Sequence, residues 1–414
     1  MERQFFNRRL QSKKEIEVDH KNTKARWILA LVFFIIAIVA LTYALVSYLN
    51  QDPGWRKVET TSSELNCSVD FTLNYYFGDQ GADIIATNKL ITQIYTEATE
   101  QAYKLFYAQA PAGSGNLRDV NDGAGETVTV AQPLYDALEL IERYGNRSLY
   151  LAPVYVEYDR IFRSESQAEA ASYDPAQNPE LVEYISQLAA FANDPEQISL
   201  ELLENSQVRL NIGRDYQEFA QRYEIDTFLD FGWMKNAFIA DFIAQKLTEQ
   251  NLTHGYLVSA DGFTRNLDSS GQSYGLDLLD RYENIVYAPA KLSYTGPVSI
   301  VSMRNYPLSD RDRWQYYGFD SGRIVTAMVD PKDGMSKSAT DNLVGISQEL
   351  GCGEVLLQLA PLYVTEQLDE NALQALSNVQ CIWFEETTLK YTGSLQIDLL
   401  RQENGPAYKI PKKQ

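Results

Sequence analysis

Residues 27–49, WILALVFFIIAIVALTYALVSYL, form 23 consecutive positions without a charged side chain. At 1.5 Å per residue, a helix of this length spans the ~30 Å hydrocarbon core of a bilayer, so the run predicts one transmembrane helix. A cleavable signal peptide is the alternative, but the run is long and no clear small-residue cleavage site follows it. A globular domain must therefore lie after residue 49.

The charges beside this run predict its orientation. Segment 1–26 carries eight Lys and Arg residues against four Asp and Glu residues. The positive-inside rule places such a tail in the cytoplasm and residues 50–414 outside it. The whole chain carries −20 and the first 26 residues carry +4, which leaves −24 for the remainder. Such an acidic surface argues against a nucleic-acid partner and suits a soluble domain held beside a membrane.

Cysteine and histidine are scarce in this chain. Cys67, Cys352 and Cys381 are an odd number of cysteines for an oxidising compartment. A disulfide between the last two would leave one thiol over, and the sequence cannot test its geometry. The two histidines are His20 and His254, so the commonest acid–base side chain is missing from most of the part predicted outside the cytoplasm.

The remainder is predicted to form a single α+β domain at 67–400, after a polar linker at 50–66 and before a polar tail at 401–414. Long helical patterns are separated by strand patterns that are mostly typical of antiparallel sheet. Strands are predicted at 67–78, near 208–212 and 225–231, and within 254–267, 284–293, 297–303, 322–334, 344–364 and 378–393. Helices are predicted at 86–109, 131–146 and 181–193, after Gly232, and within 344–364; 111–126 is a loop and 164–181 a polar insertion.

Several catalytic signatures are absent: the sequence has no GxGxxG, Walker A, HExxH or GxSxG motif. Four segments in a fixed order carry a resemblance instead. They are VNDG (120–123), LDFGWMKNAFIAD (229–241), MVDPKDG (328–334) and a Gly-acid-helix segment that begins at 351. Together they resemble the ApbE-type flavin transferases, which move FMN from FAD to a hydroxyl of a target protein. The resemblance spans roughly residues 70–395 and implies an ApbE-like, tunnelling-fold-like architecture.

The resemblance assigns flavin-binding positions, each with a plainer alternative. Asn121 matches a flavin-contacting Asn, but an Asn before Asp–Gly is also an ordinary turn residue. Gly232 gives a close backbone approach, and the helix after it offers N–H groups to an anion, or the segment is simply a strand-to-helix turn. The matched cofactor-binding positions are Asn121, Asp230, Gly232, Asp241, Asp261, Gly262 and Asp330.

The resemblance also implies a magnesium site. Glu354 and Gln358 fall where the family has an Asp and a Thr at helical spacing i, i+4, which places both oxygens on one helical face. The backbone carbonyl of Trp233 is the third matched ligand. Because Glu and Gln are longer than Asp and Thr, they can misplace an ion that requires octahedral geometry. The alternative is a Glu/Gln pair on a solvated helix face.

The sequence departs from the family pattern at further positions, so no catalytic residue is assigned. Ala327 stands at the family's His, Asn236 at its Lys with Lys235 displaced by one position, and Trp233 at its second Gly. Two functions stay open within the resemblance. The first is a membrane-anchored, Mg²⁺-dependent FAD:protein FMN transferase that modifies a flavin-acceptor protein outside the membrane. The second is a degenerate relative that binds a flavin nucleotide or another protein at the membrane. An unrelated α+β sensor or cell-envelope module is the third alternative.

Overall fold

A computed structural model describes residues 23–49, 54–61, 65–78, 81–309, 312–403 and 405–411. Most of the cytoplasmic tail predicted at 1–26, and parts of the linker predicted at 50–66, lie outside these residues. The content is mixed α and β with antiparallel sheets, which agrees with the predicted α+β fold.

An eight-stranded sheet forms the centre of the fold, and every neighbouring pair of its strands is antiparallel. The strands alternate apolar side chains between two faces, because successive residues of a strand point to opposite sides. On the strand Val298–Arg304, Val301 and Met303 face one core while Val298 and Ile300 face another. In spatial order the strands are β1 (Gly54–Val58), β2 (Phe71–Phe77), β6 (Gly255–Ser259), β7 (Phe263–Asn266), β10 (Val298–Arg304), β13 (Asn342–Ser347), β14 (Gln380–Glu385) and β15 (Thr388–Tyr391).

Helices cover one face of this sheet, and a small sheet covers the other. On the first face, α2 (Gly81–Phe106) packs on α9 (Lys235–Glu249), and α9 and α10 (Cys352–Tyr363) pack on the central strands. On the second face, Leu278 and Leu292 of the small sheet share a core with Ile300 of β10. The strands of the small sheet are β16 (Gln396–Leu399), β9 (Ile285–Thr295) and β8 (Ser273–Tyr282).

The remaining elements of the described chain include two further sheets and seven helices. A three-stranded sheet is ordered β3 (Thr127–Thr129), β5 (Gln207–Ile212) and β4 (Ile198–Leu203), and β11 (Tyr316–Gly318) pairs with β12 (Ile324–Thr326). The remaining helices are α3 (Leu117–Asp122), α4 (Gln132–Arg143), α5 (Ala152–Arg163), α6 (Gln167–Tyr173), α7 (Pro179–Asn193), α8 (Arg214–Arg222) and α11 (Glu370–Ala375). Short 3₁₀ turns lie at Ser68–Asp70, Arg147–Tyr150, Gly232–Met234 and Arg313–Gln315.

Four segments differ from the sequence-based prediction. The predicted loop 111–126 contains α3, which a capping box between Asn116 and Asp119 begins. The polar insertion 164–181 contains α6, and the predicted linker contains β1, which pairs with β2. The predicted strand 225–231 has no strand neighbour and is an extended segment.

The predicted polar tail returns to the domain. Lys409 and Thr388 form a parallel bridge beside β15, and the Tyr408 hydroxyl donates a hydrogen bond to the Asp280 carboxylate at 2.8 Å. These contacts join the segment at 408–409 to the eight-stranded sheet and to the small sheet, so the tail is part of the packed domain up to this point.

The N-terminal helix is α1 (Thr23–Leu49), and large apolar side chains from Trp27 to Leu41 are exposed on it. Among the residues that are described, no helix has both the length and the apolar character required to cross a membrane. Within the predicted transmembrane segment 27–49, the side chains from residue 43 onward are not described.

All three cysteines are free and buried, so the disulfide between Cys352 and Cys381 that the sequence left open is not formed. Burial raises the pKa of the Cys67 and Cys381 thiols to about 12 and also raises that of Cys352. Protonated, buried thiols are poor nucleophiles, and these three serve as packing residues.

Candidate functional site

A cavity of about 600 Å³ lies between α5, the start of α9, the β6–β7 turn and the loop before β11. This volume lies within the range of ~300–1,000 Å³ that is typical of small-molecule sites. Aromatic rings and carboxylates dominate its wall. The wall includes Tyr107, Tyr155, Phe162, Trp233 and Trp314, the acids Asp70, Asp159, Asp230, Asp261 and Asp312, the bases Arg163 and Lys235, and Gln109, Asn236, Gln315 and Ala327.

The turn that begins α9 forms one wall of the cavity. Asp230 Oδ1 accepts a hydrogen bond from the Gly232 N–H at 2.7 Å. Gly232 has a φ of +53°, and a Cβ added there would lie 2.5 Å from the Tyr155 ring. Glycine is therefore required both by the backbone conformation and by the ring above it. The Tyr155 hydroxyl donates to the Ser148 carbonyl at 2.7 Å, which holds that ring in place.

Asn121 supports this turn from outside the cavity. Its Oδ1 accepts hydrogen bonds from the N–H groups of Phe228 and Leu229 at 3.0 and 2.9 Å, and its Nδ2 donates to the Leu229 carbonyl. The Asp230 N–H donates to the Leu149 carbonyl at 3.0 Å. These bonds satisfy the backbone that a strand neighbour would otherwise satisfy, which explains why the predicted strand 225–231 does not form.

Asp261 lies at the β6–β7 turn, opposite the start of α9. Its Oδ2 accepts hydrogen bonds from Asn236 Nδ2 at 2.9 Å and from Gln315 Nε2 at 3.4 Å. Burial raises the pKa of this carboxyl from 3.8 to about 6, and the nearby negative charge of Asp70 adds to the rise. Asp261 therefore retains its charge at neutral pH and loses it in mild acid.

Asp70, Tyr107 and Lys235 form a second polar group on the wall. The Tyr107 hydroxyl donates to Asp70 Oδ2 at 2.9 Å, and Lys235 Nζ lies 3.5 Å from the centre of the Tyr107 ring. Burial and the neighbouring Asp70 carboxylate both raise the pKa of the Tyr107 hydroxyl, so it stays protonated. The Lys that is displaced by one position in the sequence thus reaches the cavity.

The loop before β11 forms the mouth of the cavity. Arg304 Nη2 lies 2.6 Å from Asp312 Oδ2, and both side chains are almost fully buried. Asp312 also accepts a hydrogen bond from the Leu308 N–H at 2.8 Å. This ion pair holds the loop that carries Trp314, which is 50% exposed. Beside it lies Arg163, whose guanidinium is 5.9 Å from the Trp314 ring.

Three predicted cofactor-binding residues have structural contacts outside the cavity. Asp241 accepts hydrogen bonds from the N–H groups of Cys352 and Gly353, both at 2.8 Å, and so caps α10. Gly262 has a φ of +108°, and an added Cβ would collide with the Ser302 carbonyl. Asp330 forms an ion pair with Lys337 at 2.9 Å.

The predicted magnesium ligands do not come together at the cavity. Glu354 Oε1 accepts a hydrogen bond from the Tyr144 hydroxyl at 2.9 Å and lies 3.3 Å from Arg143 Nη2. Gln358 Nε2 donates to the same Tyr144 hydroxyl at 3.2 Å. Trp233, the third predicted ligand, lines the cavity. Within the described residues no group of three or more His, Cys, Asp or Glu side chains is placed to hold a metal ion.

The fold is shared with solved proteins. The ApbE protein of Thermotoga maritima superposes with a TM-score of 0.54 and 11% sequence identity, over 80% of this chain and 94% of that one. The fold is that of the ApbE proteins. The flavin transferase ApbE of Vibrio cholerae gives a TM-score of 0.50 and 10% identity over 82% of this chain and 96% of its own, and a mutant form gives 0.51 and 12% over 82% and 97%.

The fold expected from the resemblance is thus confirmed by structure. No protein-family model matches the chain, and no curated protein sequence matches it. The superposition shows the fold alone, and activity has to be argued from the site.

The sequence motifs predicted two sides of the cavity, the turn that begins α9 and the β6–β7 turn, and did not predict the sides formed by α5 and the loop before β11. Asp230, Gly232, Trp233 and Asp261 all line the cavity. The rings of α5 and of the loop at 312–315 belong to no motif. The apolar residues at helical spacing in 152–163 could have indicated the helix, but not that it faces the cavity.

Proposed function

We propose that this protein binds a flavin nucleotide in the cavity and is a ligand-binding relative of the flavin transferases that does not transfer FMN. The observation that carries the proposal is the placement of the motif residues Asp230, Gly232 and Asp261 on one cavity of about 600 Å³ within the ApbE fold. Ligand sites of this size combine apolar walls with a few placed polar groups.

The aromatic rings on the wall suit a planar ring system. Tyr107, Tyr155, Phe162 and Trp233 offer flat apolar surface, and rings stack favourably on such surfaces. Both the flavin and the adenine of FAD are planar heteroaromatic rings. The residues therefore fit a nucleotide that places one ring system in the cavity.

A magnesium ion does not fit the predicted ligands. Arg143 places a positive charge next to Glu354, and the Tyr144 hydroxyl bonds to Glu354 Oε1, one of the oxygens that an ion would need. Gln358 turns its amide Nε2 toward the same hydroxyl. Mg²⁺ requires several oxygen ligands in nearly ideal octahedral geometry. Flavin transfer needs the charge of a metal or an equivalent group at the phosphates. Ala327, at the position of the family's His, lines the cavity without a group that could accept a proton.

FMN transfer to an acceptor protein outside the membrane is the second candidate. What favours it is the fold, which covers 80% of this chain in the comparison with the Thermotoga protein. The departures at Ala327, Asn236 and the magnesium pair favour binding without transfer.

We also propose that residues 27–49 anchor the protein in a membrane, with the N-terminus in the cytoplasm and the domain outside. The uncharged run of 23 residues and the basic segment before it support this arrangement. Exposed apolar side chains such as Trp27, Phe33 and Leu41 also support it. Reporter fusions at the two ends of the chain, expressed in a bacterium, test this orientation; activity of a cytoplasmic reporter at the C-terminus would contradict it.

The function is tested on the full-length protein with FAD. Calorimetry is expected to detect binding that is the same with and without Mg²⁺. Incubation with FAD, Mg²⁺ and a flavin-acceptor domain is expected to leave the acceptor without covalent flavin and to release no AMP. A fluorescent acceptor would establish the transferase instead, and the absence of FAD binding in both conditions would refute both candidates.

Removal of the Glu354 carboxylate tests the magnesium prediction. Because Glu354 bonds to Tyr144 and Arg143 and does not line the cavity, we expect Glu354→Ala to change the Kd for FAD less than twofold, with or without Mg²⁺. Calorimetry measures both values. If Mg²⁺ strengthens FAD binding in the unmodified protein and not in this variant, Glu354 is a magnesium ligand as the sequence predicted.

A further inference from the structure

Lys235 is a cation on the cavity wall for which the described residues contain no ion-pair partner. Among the described residues, no carboxylate oxygen lies within 4.0 Å of Lys235 Nζ. Its recorded contact is with the face of the Tyr107 ring, 3.5 Å from the ring centre. An ammonium group has three N–H donors, and a ring face satisfies them only partly.

The position of Lys235 in the fold adds to its charge. It is the first residue of α9, a helix of 15 residues, and it follows the 3₁₀ turn at Gly232–Met234. Gly232, Trp233 and Asn236 line the same cavity. The positive end of the helix dipole therefore lies at this wall, beside the ammonium group.

The other cation of the wall is already paired. Arg163 Nε lies 2.8 Å from Asp159 Oδ2, and the Arg163 side chain is 68% exposed. An exposed pair of this kind is screened by solvent and contributes little. Both cations line the cavity, but the charge of Arg163 is already neutralised by Asp159, whereas the charge of Lys235 is available to a ligand.

The carboxylates on the cavity wall repel an anionic ligand, so the binding of such a ligand depends on Lys235. Asp70, Asp230 and Asp261 line the cavity, and no cation lies within salt-bridge distance of any of them among the described residues. A phosphate that entered without a cation would be repelled by these charges. Among the described residues that line the cavity, Lys235 alone offers a positive charge without a salt bridge.

We propose that Lys235 binds a phosphate of the ligand and sets the preference of the cavity for a nucleotide over the corresponding nucleoside. This inference rests on the proposed function, since it names the group of the flavin nucleotide that Lys235 recognises. The phosphate next to the flavin and the phosphate next to adenine share the same chemistry. Two pairs of ligands, one with the flavin and one with adenine, distinguish which phosphate Lys235 binds.

The test compares ligands that differ by one phosphate on the full-length protein without Mg²⁺. The pairs are riboflavin with FMN, and adenosine with AMP. For the unmodified protein, we expect the nucleotide of at least one pair to bind at least tenfold more tightly than its nucleoside. Lys235→Met is expected to remove this preference and to leave the affinity for the nucleoside within twofold. The pair that responds identifies the ring that the cavity holds.

Controls separate the charge of Lys235 from its packing. Lys235→Arg keeps the charge and is expected to retain most of the preference. Arg163→Met removes a cation of the same cavity and is expected to change the preference less than threefold. Unchanged nucleoside binding in Lys235→Met reports that the variant is folded.

Two results would overturn the inference. If nucleotide and nucleoside bind the unmodified protein equally, or if Lys235→Met keeps the preference, Lys235 does not recognise phosphate, while the proposed function survives. If none of the four ligands and no FAD binds the unmodified protein, the proposed function fails, and the inference fails with it.

Discussion

Arg304→Met is expected to lower the free energy of unfolding by about 3–5 kcal/mol, because it leaves the Asp312 carboxylate buried without its cation. The two side chains are 5% and 4% exposed and lie 2.6 Å apart. Loss of the pair should also loosen the loop that carries Trp314 and weaken ligand binding at the mouth. Urea unfolding of the full-length protein, followed by circular dichroism, measures the change.

Two further variants show whether burial causes this effect. Combining Arg304→Met with Asp312→Asn removes the unpaired charge and is expected to recover at least half of the lost stability. Arg214→Met breaks an exposed pair with Glu218, 2.9 Å apart and 87% and 61% exposed, and is expected to cost less than about 0.5 kcal/mol. Equal losses for Arg304→Met and Arg214→Met would contradict the explanation.

Asp261→Asn is expected to stabilise the fold at neutral pH. Burial and the charge of Asp70 raise the pKa of Asp261 from 3.8 to about 6, so the folded state binds a proton that the unfolded state has released between these values. Stability due to this group therefore falls as the pH rises from about 4 to 6, and the full penalty applies above 6. A shift of this size corresponds to at most about 3 kcal/mol, and partial exposure reduces it to about 1–2 kcal/mol.

The pH dependence distinguishes this effect from a change in packing. We expect the gain from Asp261→Asn to be largest at pH 8 and to approach zero near pH 4, where Asp261 is protonated in the folded protein. Asp261 interacts electrostatically with Asp70, Tyr107, Arg304 and Tyr316. Thermal unfolding across this range measures the gain. Asp320→Asn, on an exposed loop, is the matched control, and a gain that does not vary with pH would refute the assignment.

The turn that begins α9 could be predicted from sequence because its determinants are local. Asp230 and Gly232 lie two residues apart, and the hydrogen bond between them forms within the turn itself. The positive φ of Gly232 is a property of that residue type as well. A motif comparison therefore placed both residues on the wall of the cavity.

The roles of Asp241 and Glu354 could not be predicted in this way. Each lies on a helix at the spacing that the family uses, but the element packed against that helix decides its partner. Asp241 faces the N-terminus of α10 and caps it. Glu354 faces Tyr144, which is distant in sequence. Local spacing specifies a helical face, and tertiary packing specifies what that face contacts.

The alternation of apolar residues was enough to predict an α+β domain with antiparallel sheet, since these periodicities follow from the geometry of single helices and strands. The charge of −20 and the uncharged run at 27–49 were likewise visible in the sequence. The cavity was not, because α5 and the loop at 312–315 reach it only through packing. That packing also left Lys235 as the cation on its wall without a salt bridge among the described residues, since Arg163 pairs with Asp159 on its own helix and Arg304 pairs with Asp312.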